Sequence, residues 1–157
     1  MSITTFSGPV RSLAGFISGT DSLAASVTSA TLAVTDAYNG LTVPLNRAAG
    51  MTVTLPAATG SQAVYRFLVG TTFTSSGIIQ VANATDVMNG SASVSGTTAA
   101  LFGTLPASDT VTMNGTTTGG LAGSYIEVKD AAAGYWLVSA ALVGSGTPAT
   151  PFSAAVS

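Results

Sequence analysis

From about Thr31 onward, apolar residues alternate with small polar ones. Leu41, Val43 and Leu45 alternate with Thr42 and Pro44, and Met51, Val53 and Leu55 with Thr52 and Thr54. A two-residue period places successive side chains on opposite faces, the pattern of a half-buried strand. Residues 63–69 put Tyr65, Phe67 and Val69 on one face, and residues 77–82 do the same with Ile79 and Val81. Weaker runs cover 92–95 and 99–104. Residues 110–114 turn Val111 and Met113 inward. Residues 125–129 turn Ile126 and Val128 inward, with Glu127 and Lys129 outward, and residues 135–142 align Trp136, Val138, Ala140 and Leu142. The runs are punctuated by Asn39-Gly40, Thr59-Gly60, Asn89-Gly90, Asn114-Gly115, Gly119-Gly120 and Ala133-Gly134. Such pairs supply the backbone freedom that tight turns require. Eight or nine short strands at this spacing predict an all-β fold, a β-sandwich or jelly-roll-like domain.

Residues 46–50 end in Gly50 and have hairpin length, so the runs on either side are expected to form one hairpin. Pro44 cannot donate to a ladder and predicts an edge strand or a bulge. Threonine occupies many outward positions, where its branched Cβ suits the pleat and its hydroxyl leaves a polar, uncharged face. No internal repeat of fixed period is present.

The ends read differently. Residues 1–30 are small, polar and glycine-punctuated, with isolated hydrophobes and no sustained period. They form either a loose terminus or an extended arm whose apolar side chains anchor on another subunit, and a short helix is conceivable over 23–33. The division expected is an arm over 1–30, a sandwich over 31–145 and a C-terminal tail over 146–157. Phe152 is that tail's one large hydrophobe, marking a second docking segment.

Composition narrows the function. Of 157 residues, only 6% are charged while 46% are hydrophobic, and mean hydropathy is +0.54. Ordinary domains carry about 25% charged residues, so this chain is suited to being covered by copies of itself or by a partner. The four cations, Arg11, Arg47, Arg66 and Lys129, are scattered, and net charge is −2. Binding of nucleic acid needs clustered cations and is not expected. The start lacks a basic segment followed by a continuous apolar run, and the apolar stretch 135–143 falls well short of the ~20 residues of a spanning helix. A soluble chain with no membrane partner is therefore expected.

Without histidine or cysteine, the usual catalytic triad and thiolate metal sites are excluded. A serine–lysine dyad would require Lys129, which reads instead as a surface ion-pair residue beside Asp130 and Glu127. The carboxylates Asp36, Asp86, Asp109 and Asp130 flank strands, where turn chemistry accounts for them. Asp86 between Asn83 and Asn89 is a weak calcium-like cluster, better read as a turn. No enzyme activity and no cofactor are expected. Arg66, between Tyr65 and Phe67, belongs either on the solvent face or at a subunit interface, paired with a neighbour's carboxylate or stacked on an aromatic. Trp136 is either a core anchor or an interface hot spot.

Several phrases resemble small structural proteins of tailed bacteriophages. They are Phe6-Ser7-Gly8-Pro9-Val10-Arg11-Ser12 with Gly15-Phe16, the stretches 41–50 and 52–56, Tyr65-Arg66-Phe67, Ala84-Thr85-Asp86-Val87-Met88, 110–120 and Ala149-Thr150-Pro151-Phe152-Ser153. The resemblance covers most of the chain and consists of strand and turn phrases. It implies a virion protein, most like a head decoration (cement) protein. Such a protein would be assembled in the host cytoplasm, sit as a homotrimer on the outer capsid surface and clamp neighbouring subunits of the major capsid protein. On that reading Phe6, Pro9, Val10, Arg11, Phe16 and Ile17 anchor the arm on the capsid, and Arg66 and Trp136 lie between subunits. A tail or head fibre component is the alternative it leaves open.

Overall fold

A computed structural model describes residues 24–156 of the chain. Eleven strands are formed within it: β1 (Thr31–Ala33), β2 (Thr42–Leu45), β3 (Met51–Thr54), β4 (Val64–Val69), β5 (Gly77–Gln80), β6 (Val87–Ser95), β7 (Ala99–Gly103), β8 (Thr110–Met113), β9 (Tyr125–Ala132), β10 (Tyr135–Val143) and β11 (Phe152–Ser153). They build a five-stranded sheet, β1-β3-β5-β8-β11, packed on a six-stranded sheet, β2-β4-β9-β10-β6-β7. The all-β sandwich expected from the alternation is thus what the chain forms. Tyr65, Phe67 and Val69 of β4 and Trp136, Val138, Ala140 and Leu142 of β10 are buried from one side. Met51, Val53, Ile79, Val111 and Met113 are buried from the other. Between them the Tyr65 and Trp136 rings lie 5.9 Å apart, tilted by 46°, within the range of favourable aromatic contacts.

The pairing of strands differs from expectation. Residues 41–45 and 51–55 do not form a hairpin: β2 pairs with β4 and β3 pairs with β1 and β5, in opposite sheets. Both runs carry an apolar face, and the chain buries those faces against each other by arching across the core at 46–50. Gly50 makes the arch possible: its φ is 77°, and a Cβ there would collide with the Ser76 carbonyl oxygen. The Arg47 guanidinium donates to the Gly50 carbonyl from within the same loop.

Repetition of the arch winds the first half of the domain into a coil. The chain passes from β1 to β2 to β3 to β4 to β5, changing sheet at each step, so that β1, β3 and β5 run parallel, as do β2 and β4. Parallel neighbours need a long crossover, and here each crossover is a strand of the opposite sheet. Val27 aligns with Leu45, Thr31 with Thr52, Thr42 with Arg66 and Met51 with Gly77. The offset widens at every step, which is why no fixed period marks the coil in the sequence. The second half reverses direction: β8 runs antiparallel to β5, β9 to β4 and β10 to β9, while β6 runs parallel to β10. These mixed sheets are not those of an antiparallel jelly roll.

Both ends also need correcting. Residues 24–30 are not helical; the N–H groups of Ala24 and Val27 donate to the carbonyls of Thr42 and Pro44, at 2.8 and 2.9 Å. This extended segment lines the edge that Pro44 was expected to mark, so the sandwich begins within the stretch assigned to the arm. The remaining arm residues, including Phe6, Pro9, Val10, Arg11, Phe16 and Ile17, lie outside the described residues. At the other end, 146–156 is not a detached tail. Phe152 is buried, and β11 completes the five-stranded sheet against β8.

Candidate functional site

Among the described residues three carboxylates, Asp86, Asp109 and Asp130, are buried. Asp130 lies within β9 with its side chain turned inward, 2% exposed. It accepts from the N–H groups of Thr59, Gly60 and Ser61 (3.1, 2.7 and 2.9 Å) and from the hydroxyls of Thr59 and Ser61 (3.1 and 2.7 Å). The loop holds this concave array of donors by taking left-handed backbone at Gly60 (φ 80°) and Gln62 (φ 65°). Burial pushes the carboxyl up, but the Ser61 hydroxyl and the N–H groups of Gly60, Ser61 and Thr59 outweigh it and hold the group at about 2. Asp130 was expected to serve a turn at a strand end. It sits inside a strand and braces a turn more than sixty residues earlier in the chain.

Asp86 and Asp109 are used in the same way. Asp86 accepts from the Ala58 N–H (2.8 Å) and the Asn83 side-chain amide (3.0 Å), while Asn83 Oδ1 accepts from the N–H groups of Thr85 and Asp86. An amide donor aimed at the carboxylate suits a turn and opposes a cation. Among the described residues, no three acidic side chains gather where a metal ion could be held. Asp109 accepts from the N–H groups of Ala155 (2.8 Å) and Val156 (3.2 Å) and from the Thr110 hydroxyl (2.7 Å). It thereby ties down the segment expected to be a docking tail. Replacing Asp109 by Ala should cost about 2 kcal/mol, with hydrogen exchange quickening first at residues 152–156. Unchanged exchange there would show that β11 holds without the carboxylate.

The two residues assigned to a subunit interface are placed otherwise. Trp136 is fully buried in its own core, so it is a core anchor and presents no surface to a partner. Arg66 does pair with a carboxylate, but one from its own chain: its Nε lies 2.8 Å from Glu127 Oε2, directly across from it on β9. Its Nη1 also donates to the Gly40 carbonyl at 3.0 Å. Both side chains are about a third exposed, and such a pair adds at most ~1 kcal/mol. Lys129 faces away from Asp130 and has no ion-pair partner among the described residues.

What remains is the outer surface. On the five-stranded sheet, Thr31, Thr52, Ile78 and Thr112 form one row and Thr54, Gln80, Thr110 and Ser153 the next, with Thr110 buried, close to the threonine face expected. On the six-stranded sheet the register lines up Leu101, Ser93, Ala141, Tyr125, Leu68 and Pro44 across all six strands without a charge, Pro44 being buried beside the 24–27 segment. Gly103, Ser91 and Ser139 lead in the adjacent row to the Glu127–Arg66 pair and Thr42. Exposed large hydrophobes concentrate at this sheet: Leu101 of β7 and Leu105 just beyond it are each 73% exposed, and Leu137 of β10 is 44% exposed. The weak alternation over 99–104 gave no sign of this role. Alternation alone does not reveal which strand lies at an edge, although the lack of any charge between Asp86 and Asp109 was visible. No helix of the described residues is long and apolar enough to cross a membrane. No protein-family model, curated protein or solved structure matches the chain.

Proposed function

We propose that this chain is a non-enzymatic structural protein of a tailed-phage virion, a decoration protein that binds the outer capsid surface as a homotrimer and cements neighbouring major capsid subunits. The observation that carries this reading is the division of labour between inside and outside. Asp86, Asp109 and Asp130 are turned inward onto backbone N–H groups, while the six-stranded sheet presents an uncharged row ending in exposed Leu101. A surface of serine, alanine and leucine loses little hydration on docking, whereas a charged one resists it. Residues 1–23 would add anchors, and contacts made together by several arms raise effective concentration, so that weak contacts sum to tight binding.

The test is the number of copies per purified virion, measured by quantitative mass spectrometry against the major capsid protein. The expected result is hundreds of copies in fixed ratio to the shell protein. A few to a few tens would instead identify a tail or head fibre component, and absence from the particle would overturn the virion reading.

A further inference from the structure

Among the described residues, β7 is an edge of the six-stranded sheet paired on one side only, with β6. Along this antiparallel pair, Thr104 donates to the Gly90 carbonyl and Thr98 accepts from the Gly96 N–H. Even-numbered residues of β7 therefore point their backbone groups toward β6. In an antiparallel ladder such residues alternate with ones whose N–H and C=O both point the other way. Ala99, Leu101 and Gly103 thus offer their N–H and C=O groups outward. Edge strands are ordinarily protected by charge, proline, bulges or brevity. The other edges have such protection: β2 carries Pro44 and is lined by 24–27, β1 has three residues and β11 two. The five residues of β7 contain no charge and no proline, and their register with β6 is unbroken.

The geometry points to a second copy of this chain as the occupant, with β7 pairing antiparallel to β7 of the partner about a two-fold axis through Leu101. The edge is self-complementary about that residue. Leu101 meets Leu101, Ala99 meets Gly103 and Gly103 meets Ala99, so each outward donor has an acceptor and no like charges are opposed. Phe102, partly buried against the core, gains Ala100 of the second copy as its neighbour on the inner side. Two six-stranded sheets become one continuous sheet, and its uncharged row runs through both copies. This contact is isologous, hence distinct from a three-fold association, and it does not depend on a virion role.

The chain contains no cysteine, which makes the test direct. In the proposed register the two Leu101 Cα atoms are about 5.5 Å apart, inside the roughly 4.4–6.8 Å range of disulfides. Leu101→Cys is expected to oxidise to a covalent dimer roughly a hundredfold faster than Leu137→Cys, which is exposed on the same sheet but away from the edge. If L101C cross-links no faster than L137C, the two-fold contact is wrong, whether the edge is bare, covered by residues 1–23 or taken by another protein. Should L101C fail to fold, sedimentation of the wild-type chain against Leu101→Lys decides. Association lost in L101K, with the β-sheet circular dichroism kept, supports the contact; identical sedimentation overturns it.

Discussion

Replacing Asp130 by Ala should lower the unfolding free energy by about 4 kcal/mol, since it strips a buried anion from an array of donors that then have no acceptor. Three N–H groups and two hydroxyls converge on the carboxylate, while the backbone ties between this loop and β9, such as Gln62 N–H to the Asp130 carbonyl, satisfy none of those donors. Asp130→Asn keeps the volume but turns an NH2 group toward N–H donors, so it should lose nearly as much. The pH dependence follows from the depressed carboxyl, at about 2 in the fold against its ordinary 3.8. Its contribution is complete above about pH 4 and is lost as pH falls through 2, and the difference corresponds to about 2 kcal/mol. Urea denaturation between pH 2 and 7 should therefore show a steeper acid decline for the wild type than for D130N. Parallel curves would show that the carboxylate is not held as described.

Trp136→Ala should cost about as much, some 4 kcal/mol, for a different reason. The indole is fully buried between the sheets against Tyr65, and its removal leaves a cavity that two hydrogen-bonded sheets cannot collapse to fill. The conservative variant separates packing from polarity. The Nε1–H of Trp136 has no hydrogen-bond partner among the described residues, so Trp136→Phe forfeits ring volume but also removes an unpaired donor. Its loss should be only about 1–2 kcal/mol. Denaturation midpoints for the two variants should fall in that order. If W136F were as damaging as W136A, the indole N–H would have to be satisfied by something the packing does not show.

The alternating faces of β4, β5, β8, β9 and β10 were legible because burial on one side of a sheet imposes its period on local sequence. The partners of those strands were not. Nothing in residues 41–55 distinguishes a hairpin from an arch, since both bury the same alternate residues; the choice is made by Ser76, far along the chain, closing on Gly50. Asp130 looked like a turn residue because its donors lie in a distant loop. For Arg66 a carboxylate of another subunit was one of several partners expected, and Glu127 of its own chain became its neighbour only through the β4–β9 pairing. Phe152 was visible as an anchor, although the surface it anchors to is its own sheet. The edge position of β7, on which the two-fold contact rests, follows from strand order alone.

Strand order also bears on how the chain folds as it is made. In the six-stranded sheet, β9 and β10 stand between β4 and β6, which precede them in the chain. Ribosomes add about 5–20 residues per second, so the edges of β4 and β6 stay open for several seconds until 125–143 emerge to fill the gap. The β9–β10 pair acts as a keystone inserted last, and such non-local closure is slow, with folding times of milliseconds to seconds. A nascent chain halted before Tyr135 would hold two separate half-sheets, each with a sticky margin toward other nascent copies.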